Sequence, residues 1–204
     1  MPCASGARGR PARHENCSER AVRIDQFAGE EAAARSPELG ELLIDAVRNG
    51  ASIGFVLPLA PGEVETYWRK VGADVAAGQR LLFAALDKDG RLLGSAQLSL
   101  EPRTNGRHRA EVQKVMVLAA HRGQGIGAAL MARVESAART HGRTLLFLDT
   151  SEGEAGATKF YERLGYTYVG GIPDFAASPD GSLAANAIYH KRLPAQNSGA
   201  AGVL

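Results

Sequence analysis

Arg122 to Gly127 reads Arg-Gly-Gln-Gly-Ile-Gly, and three glycines beside a cation suit the holding of an anion. Before them stands Glu111 to Leu118, EVQKVMVL, whose Val-rich pattern is that of a strand. After them Ile126, Leu130, Val134 and Ala137 recur on one helical face. A strand that turns through glycines into a helix aims several unpaired backbone N–H groups at one spot. Those donors and the positive end of the helix dipole suit a phosphate or diphosphate, and glycine offers no Cβ to keep it away.

Three kinds of protein own such turns, and spacing separates them. A P-loop ends in Gly-Lys-Ser or Gly-Lys-Thr, and no lysine follows Gly127. A dinucleotide fold is a closer rival, since Gly123, Gly125 and Ala128 fit its fingerprint and Asp149 stands where a ribose-binding acid belongs. Against it, the residues from Ala119 to Gly123 intervene where a tight turn is needed, and no further βα units follow. The third pattern is Arg-x-x-Gly-x-Gly, met by Arg122, Gly125 and Gly127. Here the sequence resembles the GNAT superfamily of acyl-CoA N-acyltransferases. A second segment, Phe160-Tyr161-Glu162-Arg163-Leu164-Gly165-Tyr166, resembles another pattern of that family and lies in the right order.

The resemblance implies a mixed α/β fold. Its central sheet is mostly antiparallel, with one parallel βαβ unit whose strands splay to form the acetyl-CoA cleft, and helices flank it. It puts Met116, Val117 and Leu118 along the pantetheine arm. Arg122, Gly123, Gln124, Gly125, Ile126, Gly127 and Ala128 then lie around the diphosphate. It further implies direct transfer in a ternary complex, in which an amine attacks the thioester and the CoA thiolate leaves. It also implies that a backbone N–H near Val117 stabilises the oxyanion. Tyr161 matches the family tyrosine that protonates the thiolate, a role worth about 10² to 10⁴ in rate. Helix packing beside Phe160 is the plainer reading of Tyr161.

For the base, Asp149 ranks first, because it ends a central strand where ligands of α/β sheets gather. Capping the next helix is its plainer role. Glu111 ranks second, and Glu152 and Glu154 read as exposed acids at a helix start. LDTSEG and PDFAASPDG look similar to family members that modify small molecules, among them the group that inactivates the toxin tabtoxin. The expected acceptor is therefore a small-molecule amine, although protein N-termini, aminoglycosides and polyamines stay open. A non-catalytic acyl-CoA sensor and an NAD-dependent oxidoreductase are the alternative functions.

These residues need a scaffold. Strands are expected at Ala21–Phe27, Arg80–Leu86, Leu92–Leu100, Thr144–Asp149, Tyr166–Val169 and Ala187–Leu193. Helices are expected from Ser36, over Gly62–Ala77, after Gly127 and over Glu154–Leu164. Ala96, Leu98 and Leu100 alternate with Ser95, Gln97 and Ser99, which predicts a half-buried strand. TLLFLD predicts a strand buried on both faces. Residues 170–186 form a turn-rich loop able to cover the acceptor.

Length and composition set the bounds. A chain of 204 residues with 45% hydrophobic and 23% charged residues suits one soluble domain, expected at 20–193. Residues 1–19 are expected to be a disordered leader and 194–204 a loose tail. A net charge of +2 without a basic run argues against nucleic acid. No apolar stretch is long enough for a membrane span, and no secretory h-region is present, so the expected location is cytoplasmic. Cys3 and Cys17 are isolated and the five histidines lack ligand spacing, so no metal is expected. Homodimers by sheet-edge pairing are common in the family and remain open.

Overall fold

A computed structural model of the chain describes residues 22–152 and 157–194. The expected leader, most of the expected tail, and Glu154 lie outside these. Strand β1 (Arg23–Phe27) leads into helices α1 (Gly29–Ala34), α2 (Ser36–Arg48) and α3 (Glu63–Ala76). Pro37 opens α2, where its missing N–H would have no intrahelical partner anyway. Leu39, Leu42, Leu43, Ala46 and Val47 form the buried face of that helix, as their spacing predicts. The six residues of α1 bury only Ala32, so they carry no period from which a helix is legible.

Strands β2 (Arg80–Leu86) and β3 (Leu92–Leu100) form the expected hairpin. The Asp87 carboxylate closes its turn by accepting from the N–H groups of Asp89 and Arg91, both at 2.8 Å. Next come β4 (Arg109–Val117), a single 3-10 turn at Ala119–His121, α4 (Ile126–Thr140) and β5 (Leu145–Ser151). The described part of the following helix, α5, is Thr158–Arg163. After β6 (Thr167–Gly170), the expected open loop contains a small hairpin, β7 (Ala176–Ala177) with β8 (Leu183–Ala184). Strand β9 (Asn186–Arg192) closes the sheet.

The sheet runs β1-β2-β3-β4-β5-β9-β6, and β4–β5 is its parallel pair among antiparallel neighbours. One core lies between the sheet and α4, with Leu130, Met131 and Val134 fully buried. The other lies under α2 and α3 around Trp68, which is 1% exposed and is core as expected. Each such side chain contributes about 1.5–3 kcal/mol by leaving water.

Two burial expectations exchange places. Strand β3, expected to be half-buried, is covered on both faces, and even Ser95 and Gln97 are fully buried. Strand β5, expected to be buried on both faces, buries only Leu146 and Leu148, while Leu145 and Phe147 are half-buried and Asp149 is exposed. The reason is coverage: α2 packs on β3 and β4 and α3 on β2, so neither blankets that face of β5. Gln97 tolerates burial because it is hydrogen-bonded to the Tyr67 hydroxyl (3.0 Å) and accepts from Arg80.

Candidate active site

Strands β4 and β5 pair only where Arg109, Ala110 and Glu111 meet Leu145, Leu146 and Phe147. Beyond that level β4 carries a bulge. Ser95 is level with Met116 and Gln97 with Gln113, so Ala96 alone faces both Lys114 and Val115. One extra residue bends a strand and increases its twist. It also inverts the side-chain parity. Ala110 and Val112 point into the core under α4, and beyond the bulge Val115 and Val117 do so. Met116 and Leu118 turn to the opposite core. Lys114 itself has φ +48°, in the left-handed region. Gly94, opposite Val117, permits the close approach, for a Cβ there would lie 2.6 Å from the Met116 carbonyl oxygen.

The inverted parity also decides which backbone groups face the gap. The Leu118 N–H donates to Leu93 (2.9 Å), so the alternating peptide groups turn Val117 away from β3. The Val117 carbonyl accepts from Arg122 Nε at 3.3 Å. In the turn that follows, the Asp45 carboxylate on α2 accepts the Ala119 N–H at 2.9 Å. Gly123 and Gly125 have φ +76° and +83°, conformations that favour glycine. Gly125 caps α4 without a side-chain cap. The first N–H turned back into the helix is that of Ala129, which leaves those of Ile126, Gly127 and Ala128 without intrahelical acceptors.

A cavity of about 620 Å³ lies against this turn. Val115, Met116 and Val117 form one wall, Arg122, Gly123, Gly125, Gly127 and Ala128 a second, and Phe160 and Tyr161 of α5 a third. Of the other expected contacts, Ile126 is buried in the core, Leu118 packs under α2 and α3, and the Gln124 amide donates to Ala120 at 3.5 Å. Gly127 lets α5 come near, since a Cβ there would lie 3.2 Å from the Phe160 ring. Tyr161 is 7% exposed and packs edge-on against Phe160 and Tyr166. Burial first, and the Asp149 charge second, push its hydroxyl well above the ordinary tyrosine range.

Glu111 and Asp149 line a second cavity, of about 200 Å³, together with Gln113 and Lys114. Its rim is built by two loops, with Ser52 to Gly54 on one side and Phe175, Ala176 and Ala184 on the other. The loops are tied where the Leu57 N–H donates to the Pro179 carbonyl at 2.9 Å. Asn186 holds the second loop by accepting the Ile172 N–H at 2.9 Å. Residues 111–114 of β4 thus line one cavity and 115–117 the other. Gln113, Lys114 and Gly94 escape sequence reading. The only hint is a lysine amid valines, and a bulge has no sequence period.

Among the described residues no group of three or more His, Cys, Asp or Glu could hold a metal ion, and no helix is long and apolar enough to cross a membrane.

A sequence profile of the acetyltransferase (GNAT) family matches residues 44–166. An uncharacterized N-acetyltransferase from the hisH-hisA intergenic region of Azospirillum brasilense is 36% identical over 110 residues, covering 53% of this chain and 63% of that protein. Streptothricin acetyltransferase of Streptomyces lavendulae is 31% identical over 99 residues, covering 48% and 51%. The chain thus spans less than two thirds of these relatives' own lengths. Among solved structures, yncA of Salmonella typhimurium with its cofactor acetyl-CoA superposes with a TM-score of 0.67 at 17% identity, covering 89% of this chain and 99% of that one. That likeness concerns the fold. A single parallel pair in the described sheet does not make the doubly wound sheet of a dinucleotide fold.

Proposed function

The chain belongs to the acetyltransferase (GNAT) family, and from that premise we propose that it moves an acetyl group from acetyl-CoA to a primary amine of a small molecule. The observation that carries this reading is the cavity at the Gly123–Ala128 turn, where unpartnered N–H groups and Arg122 meet a gap between parallel strands. Those donors fit a diphosphate. The outward backbone edge of β4 at Val117 fits an extended pantetheine arm, much as it would fit an added strand.

Acetyl-CoA, when bound, supplies a thioester carbonyl activated toward amines. The chain's own groups do the rest. The Val117 N–H, turned into the gap, donates to the oxygen on which charge develops. Asp149, with Glu111 second, holds the acceptor's ammonium group and takes its proton, through water where the distance requires it. The Tyr161 hydroxyl donates to the departing sulfur. Burial keeps this hydroxyl protonated, and a thiolate, whose conjugate thiol has a pKa of about 8.5, is too weak a base to strip it. Its contribution is therefore chiefly a hydrogen bond; the C–N bond forms, the C–S bond then breaks, and the nitrogen's second proton passes to solvent or to the thiolate.

Two acids in the second cavity, one of them acting electrostatically on Tyr161, favour turnover over a sensing role. The second cavity, about 200 Å³ under two loops, suits a small acceptor such as an amino-acid-like toxin or antibiotic. Similarity to streptothricin acetyltransferase supports a resistance role in the same direction.

Thermal shift tests the premise directly. Acetyl-CoA should raise the melting temperature where NAD and ATP do not, and Gly125→Trp should abolish the response. A shift by NAD with none by acetyl-CoA would overturn the reading. Stabilisation by acetyl-CoA justifies screening amines by thiol release.

A further inference from the structure

Lys114 is not needed by the chemistry above, yet it lines the cavity that holds Glu111 and Asp149. The bulge turns it to this side of the sheet and holds its backbone at φ +48°, a conformation that residues other than glycine seldom adopt. Its ammonium group lies 6.0 Å from the centre of the Tyr67 ring and beside Gly54, at the cavity's wall. Among the described residues, no carboxylate stands within ion-pair distance of it. A half-buried cation without a directly paired counter-ion is costly to keep, and a closer negative charge would lower that cost. Burial does press its pKa below the ordinary lysine range, while the Asp149 and Glu111 charges oppose that.

The cavity therefore presents both signs: two carboxylates able to take an ammonium group, and one cation that neither of them reaches at ion-pair distance. A plain amine or a polyamine would satisfy the acids and be repelled by Lys114. An amine that also bears a carboxylate satisfies all three. We infer that Lys114 determines specificity by pairing with a carboxylate on the acceptor, so that the substrates are amines of amino-acid type. This rests on the acetyl-transfer reading of the site. Gln113, held by Arg80 Nη1 at 2.8 Å, and Tyr67, hydrogen-bonded to Gln97, fix the floor against which Lys114 lies.

The test is thiol release from acetyl-CoA by the full chain with matched acceptors. These are L-methionine, L-methioninamide and 3-(methylthio)propylamine, and L-lysine, L-lysinamide and cadaverine. The acids should exceed their amides in kcat/KM by about tenfold or more, since a site built for a charged group rejects the analogue that leaves it unpaired. In Lys114→Met that ratio should collapse toward one, chiefly through KM for the acids, while Lys114→Arg should keep most of it. Acetyl-CoA should still stabilise both variants thermally, which separates a specificity change from misfolding. Amides accepted as well as acids, or a ratio that survives Lys114→Met, would overturn the role of Lys114 and leave acetyl transfer standing. Failure of every amine, with acetyl-CoA still bound, would remove both.

Discussion

Tyr161 has two duties that pull in different directions. Its ring is core, against Phe160, Tyr166 and Tyr189, and the residue also lines the cavity, where its hydroxyl is proposed to act. Phenylalanine keeps the first duty and removes the second. Tyr161→Phe should therefore fold normally and lower kcat about ten- to a hundredfold, with KM for acetyl-CoA little changed, as steady-state kinetics would show. The same burial makes a stability prediction. The folded-state pKa of Tyr161 is raised above the unfolded value near 10, and Tyr166 is raised likewise by burial and then by Glu135. Their contribution is intact below about pH 10 and is lost as pH rises toward the folded values. Urea midpoints at pH 9 and pH 11 should fall less in Tyr161→Phe than in the wild type.

Strand β4 is the element that converts a sheet into a site. Up to Glu111 it is an ordinary parallel partner of β5, and past the bulge it presents a free backbone edge, inverted parity and Lys114. Gly94 is the residue that allows this bend, because a Cβ there would lie 2.6 Å from the Met116 carbonyl oxygen. Gly94→Val should destabilise by about 1–3 kcal/mol, as overpacking does. It should also weaken the acetyl-CoA thermal shift, since the displaced atoms belong to the cavity wall. Urea unfolding and the shift assay read the two effects separately. Full stabilisation by acetyl-CoA in that variant would mean that the bend does not form the cleft.

Across the whole molecule, α4 must stay seated for the turn at its N-terminus to hold its shape. Its far end is pinned by a polar clasp: Lys191 on β9 donates to Glu135 and to the Leu164 carbonyl, both at 2.7 Å, and Arg139 lies 3.5 Å from the same carboxylate. Glu135 is 8% exposed, so losing its main partner leaves a poorly solvated charge. Lys191→Met should cost about 2–3 kcal/mol in urea unfolding, less than a fully buried pair because Arg139 remains. The acetyl-CoA dissociation constant, measured by calorimetry, should not change, because the clasp lies at the other end of the helix from the turn.

Local chemistry made much of this legible from residues alone. Glycines with positive φ at 123 and 125, the Ile126-Leu130-Val134-Ala137 face, the Asp87–Gly90 hairpin and the α2 stripe all follow from rules acting over a few residues. Local spacing likewise brought Arg122, Gly125 and Gly127 to attention, the family resemblance added Tyr161, and all four line one cavity. Burial of whole strands was not legible in this way. A polar–apolar alternation in β3 and an apolar run in β5 state what each strand tolerates, and only the positions of α2 and α3 decide which faces are covered. The bulge at Lys114 was equally hidden. It is a mismatch in length between two strands, a property of their pairing, and pairing exists only in the folded sheet. Tertiary structure alone therefore brought Glu111, Lys114 and Asp149 to one cavity, from positions up to 38 residues apart.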